Sequence, residues 1–255
     1  MLAHANESSP TLFALAYQIL GLGFVAPVYF FLHYIQCPVD NYHAMDNRLT
    51  QIGRVKSIVP SVTLAYILPA VTMLTVPGLA NRQWINGFFW QLFPLYTAIL
   101  QRLFDLVVKD PTKESRLSNP LADMVYLRWT YGFSFAVASG VNFYARLASP
   151  VSLMELFFQG LGNPNAQVSL AEGAAKLFRY DLIVSFSAVT LWLLLSFWDL
   201  KKAGKVRANW LALISVYVAL VVAVGPGAAM VAMWAWREEA IAHGGVQLKW
   251  LTQSV

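Results

Sequence analysis

The chain has 255 residues, of which 58% are hydrophobic and 12% charged. Soluble domains carry about 25% charged residues, and mean hydropathy here is +0.53. A soluble globule, a disordered chain and a coiled coil are excluded, which leaves a polytopic helical membrane domain, read as one unit over residues 1–255. The net charge of +5 is spread too thinly for a nucleic-acid patch. Cys37 is the one cysteine, so no intrachain disulfide, zinc finger or iron–sulfur cluster can form.

Six apolar segments follow in chain order: Thr11–Ile35, Ile58–Leu79, Trp84–Val108, Met124–Ala148, Tyr180–Leu200 and Trp210–Trp236. Each reaches the roughly 20 residues a helix needs to cross a bilayer. They do not alternate, which argues against a barrel. The expected fold is therefore an all-α bundle of six transmembrane helices. Val151–Gly162 is apolar but short, and reads as a re-entrant or interfacial helix, with a seventh crossing as the alternative. The first span lacks the basic flank of a cleaved signal, since no Lys or Arg precedes Arg48. Prolines 60, 69 and 77 punctuate span two, and Gly225-Pro226-Gly227 breaks span six.

Lysines and arginines give the orientation. The loops after spans one, three and five hold Arg48, Arg54, Lys56, Lys109, Lys113, Arg116, Lys201, Lys202, Lys205 and Arg207. The opposite side holds Arg82, Arg146, Lys176, Arg179, Arg237 and Lys249. The positive-inside rule places the first set in the cytosol and both termini in the lumen. Asn6-Glu7-Ser8 is then a lumenal sequon.

Much chemistry is excluded. Of His4, His33, His43 and His243, only His33 lies in a span, too few for an intramembrane haem or di-metal cluster. There is no P-loop. Asp40 and Asp46 in Val39–Arg48 do not make an aspartate-rich magnesium box. Brønsted chemistry, or none, remains. The carboxylates near the spans are Asp105, Asp123, Asp181 and Asp199, with Glu155 and Glu172 in the fourth loop. A carboxylate at membrane depth is costly and marks a functional candidate.

Helical spacing sets the faces. Trp84, Gln91, Ala98 and Asp105 share one side of span three. Arg128, Tyr131, Phe135, Ser139, Asn142 and Arg146 form a polar stripe on span four. Asp181, Ser185, Trp192 and Asp199 share a side of span five. The cytosolic layer would hold His33, Asp105, Arg128 and Asp199, and the lumenal layer Gln91, Asn142, Arg146 and Asp181. As plain membrane glue, Asp105 would pair with Arg102 or Arg128, and Asp181 with Arg179 or Arg146. Asp199, beside Lys201 and Lys202, reads as a solvated helix end. The nine Trp, eleven Tyr and sixteen Phe supply interfacial belts and packing. They also supply walls for a cavity whose ring faces stabilise a cation. A protonated acid beside such walls is what a carbocation cyclase needs.

Phe30–Arg48 (FFLHYIQCPVDNYHAMDNR), Pro77–Pro94 (PGLANRQWINGFFWQLFP) and Phe178–Gly204 (FRYDLIVSFSAVTLWLLLSFWDLKKAG) resemble small fungal integral-membrane terpene cyclases of meroterpenoid pathways. These are of the ascochlorin and ascofuranone type, similar in kind to pyripyropene-type cyclases. The resemblance implies a cofactor-free enzyme, without a metal, in the endoplasmic reticulum. Such an enzyme protonates the terminal epoxide of a prenyl chain on an aromatic or polyketide head and cyclises the cation. It implies Asp181 as the acid and Asp105 as second candidate or final base. Tyr180 or Arg146 would orient the acid, and Trp192, Phe186, Tyr131 and Phe135 would line the cation's path. Asn142 and Gln91 complete the substrate-binding set, and Asn41–Arg54 would hold the head at the membrane surface. The partners are then a hydrophobic prenylated substrate and the bilayer, and the oligomeric state is left open. Two other classes stay open: an isoprenoid or sterol-type double-bond isomerase, and a transporter or scaffold without chemistry.

Overall fold

The computed structural model describes residues 9–36, 50–108, 119–158 and 169–243. Cys37, Asp40, Asp46, the sequon and most of Asn41–Arg54 lie outside them. The described residues contain helices and no strand, and they divide into two compact units.

The first unit comprises residues 1–19 and 41–133. It holds α1 (Ser9–Leu20), α3 (Ile52–Val62), α4 (Leu68–Thr75), α5 (Leu79–Ile85), α6 (Phe93–Val107) and the start of α7 (Met124–Ala148). α3 and α6 pack together. Ile52, Val55, Ala65, Met124 and Leu127 are buried in this unit, with Ser57, Ser61 and Asp123 among them. Asp123 is satisfied there, because the Thr50 hydroxyl donates to its carboxylate at 2.6 Å. The prolines in spans two and three are read out as π-helical turns. Thr63–Ile67 runs into Pro69, and Asn86–Trp90 into Pro94. A proline has no N–H to continue the ladder, so the preceding turn widens; Gln91 N–H donates to Asn86 O at 2.8 Å. Span three is thus two helices joined through a π turn.

The second unit comprises residues 20–40 and 134–255. It holds α2 (Leu22–Ile35), the rest of α7, α8 (Leu153–Phe158), α9 (Leu170–Lys202), α10 (Trp210–Val224) and α11 (Pro226–Ala242). α9 packs on α2 and α11, and α10 packs on α11. Ser169 caps α9 by accepting the Glu172 N–H, and Asn209 caps α10 by accepting that of Ala212. Leu193, Phe197, Leu200, Leu213, Ala228, Ala229 and Ala240 form the core.

Two helices are long and apolar enough to cross a membrane by length and composition: Ile52–Thr75 and Leu170–Lys202. Two of the other expected spans are cut at a glycine. Span one is cut at Gly21, where φ is 87°, so α1 and α2 are separate short apolar helices. Span six is cut at Gly225, φ 92°, as the Gly-Pro-Gly sequence predicts. Of Val151–Gly162, Leu153–Phe158 is helical and residues 159–162 are not described. Large apolar side chains face outward along the helices: Ile19 is 84% exposed, Leu147 88% and Leu170 91%. Soluble monomers rarely leave so much apolar surface uncovered. One expectation is corrected here. Asp199 is not a solvated helix end but 4% exposed, packed within α9's buried C-terminal turn.

Candidate functional site

The second unit brings a carboxylate to the start of a helix. Gly23 N–H, in the first turn of α2, donates to Asp181 Oδ1 at 2.6 Å. Glycine is required for this approach. A Cβ at Gly23 would lie 2.8 Å from the Asp181 carbonyl oxygen and 2.9 Å from its Cα. A Cβ at Gly21 would lie 2.6 Å from Asp181 Oδ1. The backbones of α2 and α9 therefore touch, as small residues at a helix crossing permit. The first turn of a helix leaves amides without an intrahelical partner, and Asp181 takes one of them. Ser185, one turn on, donates its hydroxyl to the Asp181 carbonyl at 2.5 Å. The sequence alternatives for Asp181, pairing with Arg179 or Arg146, give way to a backbone amide 158 residues away.

Further along α9, three turns or ~16 Å from Asp181, Trp192 enters an aromatic cluster. It stacks on Trp234 of α11 with centroids 4.2 Å apart and planes at 19°. Phe30 lies 4.8 Å from it. His33 meets it edge-on at 5.2 Å and Trp234 at 6.2 Å. The Arg237 guanidinium sits 4.2 Å from the Trp234 ring centre and is held by Glu238 at 2.6 Å. Arg237 is 6% exposed, so this cation–π contact is a desolvated one, the kind worth about 2 kcal/mol. The cluster thus already holds one cation over an indole face, with a carboxylate beside it.

The polar stripe expected on span four falls on α7. Ser139 Oγ, Asn142 Oδ1 and Arg146 Nε are buried on one face of α7 without a hydrogen-bond partner. Asn142 lies against the break before α11, where a Cβ on Gly225 would stand 2.4 Å from its Cγ.

The remaining sequence candidates are dispersed. Tyr180 is 42% exposed and Phe186 half-buried, both on α9 with Asp181. Phe135 is half-buried on the part of α7 that belongs to the second unit. Asp105, Gln91 and Tyr131 belong to the first unit. There Asp105 Oδ2 lies 3.7 Å from Arg54 Nε, a long-range partner absent from the local alternatives Arg102 and Arg128. Gln91 closes the Asn86–Trp90 π turn. The first unit has aromatic contacts of its own, with Tyr66 4.8 Å from Phe93, which is 6.4 Å from Tyr17.

Sequence reasoning missed Gly23, Phe30, Trp234 and Arg237 as site residues, and left His33 in a layer without a role. The spacing of Trp234 and Arg237, one helical turn apart, was the available signal for the cation–π pair. Nothing local signals that Trp192 would stack on Trp234.

Residues 3–242 match the CtvD domain family. Over 234 residues, 91% of the chain, it is 35% identical to the FAD-dependent monooxygenase BOA8 of Botryotinia fuckeliana (strain B05.10), covering 30% of that protein. It is 32% identical to the FAD-dependent monooxygenase verC1 of Penicillium polonicum over 92% of the chain and 29% of that protein. It is 24% identical to the terpene cyclase ascI of Acremonium egyptiacum over 71% of the chain and 50% of that protein. The chain spans under a third of the length of these two monooxygenases, and no solved structure matches it. With the family matched over nearly its whole length, the chain belongs to the CtvD domain family.

Proposed function

We propose that the chain is a membrane-embedded terpene cyclase of secondary metabolism, acting on the terminal epoxide of a prenylated aromatic or polyketide substrate. The observation that carries the reading is Asp181, anchored by one carboxylate oxygen to Gly23 N–H on the helix pair that also carries Phe30 and Trp192. Oδ1 accepts the amide hydrogen, so Oδ2 is the oxygen assigned the proton. That proton passes to the epoxide oxygen and the C–O bond at the more substituted carbon breaks. A neighbouring alkene supplies the electron pair for the new C–C bond. Loss of a proton from carbon then gives an isomer of the substrate. Phe30 and Trp192, on the same helix pair as Asp181, are the proposed aromatic wall for the travelling charge; the Trp234 ring is already taken by Trp192 and Arg237. Tyr180, Phe186 and Phe135 extend the apolar lining. Asp105, facing Arg54, is the second candidate for the acid, and Tyr131 and Gln91 lie with it in the first unit. The endoplasmic reticulum, with the loops after spans one, three and five in the cytosol, is part of this proposal.

The relatives support it from two directions. One is named a terpene cyclase. Others are named FAD-dependent monooxygenases, and insertion of one oxygen atom into an alkene makes the epoxide that this chemistry consumes. We read the chain as working without a flavin: Gly21–Ala26 (GLGFVA) has the spacing of a dinucleotide-binding turn, but it joins helices α1 and α2 rather than following a strand. The flavin is assigned to the parts of those relatives beyond the match. Purified chain is therefore expected to show no flavin absorption. A stoichiometric flavin retained through purification would overturn this assignment.

The test feeds a farnesyl-phenol bearing a terminal epoxide to microsomes that express the chain. A product of equal mass and shifted retention, absent from control microsomes, is expected. Unchanged epoxide, with folded protein and proven entry into the membrane, would sink the cyclase for that head group. A second reading, a transporter, has one observation in its favour: the breaks at Gly21 and Gly225 divide two apolar stretches into half-helices. It predicts epoxide flux across sealed vesicles with no isomer formed.

A further inference from the structure

Some helix hydroxyls satisfy themselves: Thr63, Thr130 and Ser185 each donate to the carbonyl four residues earlier, at 2.8, 3.0 and 2.5 Å. Ser139 does not, nor do Ser61 and Thr97. Ser139 is 8% exposed, and its Oγ is buried with no partner. The same holds for Asn142 Oδ1 and Arg146 Nε, three and seven residues on. Positions three and seven residues apart share a helix face, and side chains lean toward the helix N-terminus, so Arg146 points back over Asn142. Gly225 closes one wall: its missing side chain is what admits Asn142. Three unsatisfied polar groups in a row are expensive to leave buried.

We infer that Ser139, Asn142 and Arg146, in place of the Asn41–Arg54 loop, form a subsite for the oxygen-bearing head of the ligand. Their hydrogen-bonding inventory defines the chemistry. Arg146 Nε–H donates, so the ligand must offer an acceptor, best an anionic or carbonyl oxygen. Asn142 Oδ1 accepts, so the ligand must also offer a hydroxyl. Ser139 serves either. The fitting group is a carbonyl or carboxylate next to a hydroxyl, as on a hydroxylated aromatic acid or ketone. An anionic phospholipid headgroup offers the same phosphate-type acceptor and glycerol hydroxyls, and the test separates the two sources. This inference rests on the prenylated substrate proposed above.

The experiment measures binding to full-length protein in detergent, without turnover. The probes are a farnesylated dihydroxybenzoic acid and farnesylbenzene, which lacks the oxygens. The subsite predicts tighter binding of the acid to wild type. Arg146→Gln should weaken the acid about tenfold or more and Ser139→Ala by a smaller factor, both leaving farnesylbenzene unchanged. Unaltered affinity for the acid in Arg146→Gln overturns the subsite. So does an equal loss for both probes in Arg146→Gln and in the milder Ser139→Ala, which reports a structural role. Displacement of the acid by phosphatidylglycerol in wild type but not in Arg146→Gln, with no preference for the acid over farnesylbenzene, identifies a lipid site and also overturns it. A chain that binds the acid as described but forms no isomer keeps the subsite and loses the cyclase.

Discussion

Asp181→Asn is expected to cut isomer formation from the epoxide by at least about a hundredfold, the usual contribution of a positioned general acid. The substitution isolates the proton. An asparagine keeps an oxygen where Asp181 Oδ1 accepts the Gly23 N–H, so the contact between α2 and α9 survives. What is lost is the acidic oxygen on the other side of the carboxyl group. Asp181→Ala would also remove the anchor, confusing chemistry with folding. The measurement compares initial rates in microsomes at matched expression, with the melting temperature of the purified variant as control. A rate within about tenfold of wild type would remove Asp181 as the acid and move the assignment to Asp105.

The second large effect is on stability. Gly225 sits at φ 92° and ψ 159°, a backbone region that is essentially closed to other residues. Gly225→Ala adds that strain, about 1–3 kcal/mol, to a Cβ placed 2.4 Å from Asn142 Cγ. The apparent melting temperature in detergent should fall clearly. The two causes can be separated. Adding Asn142→Gly to Gly225→Ala removes the clash, which includes Asn142 Cβ at 2.9 Å, and leaves the backbone strain, so, measured against Asn142→Gly alone, the double variant should recover only part of the loss. Full recovery would show that the backbone conformation costs little. No loss in the single variant would mean that the backbone at 225 leaves this conformation without cost. Gly21, at φ 87° and ψ 149° with Asp181 Oδ1 against it, has the same two constraints. Substitution there strains the fold and the proposed acid together, which makes Gly225 the cleaner position.

What could be read along the chain was what depends on neighbours in sequence. Low charge and long apolar runs settled the helical class, since a backbone in lipid must pair within its own segment. Gly-Pro-Gly announced the break at 225, because proline cannot donate and glycine can adopt the required φ. Pro69, among the prolines that punctuate span two, follows the Thr63–Ile67 π turn. The polar stripe of α7 was legible because helical spacing alone puts Ser139, Asn142 and Arg146 on one face.

The rest needed the tertiary structure. Gly21 sits in an apolar run that reads as unbroken helix; only the close approach of α9 gives its conformation a cause. Asp181 takes a backbone amide as its partner, and any residue has one, so no residue type could advertise the contact. Asp105 meets Arg54 rather than the arginine one turn away, because α3 packs against α6. Asp199 looks solvated beside two lysines, yet it is buried. The stack of Trp192 on Trp234 and Arg237 follows from α9 packing on α11. Composition and period determine that helices form and which faces are polar. Which faces meet is decided by packing, because partners far apart in sequence are chosen by shape, and here largely by where a glycine lets two backbones touch.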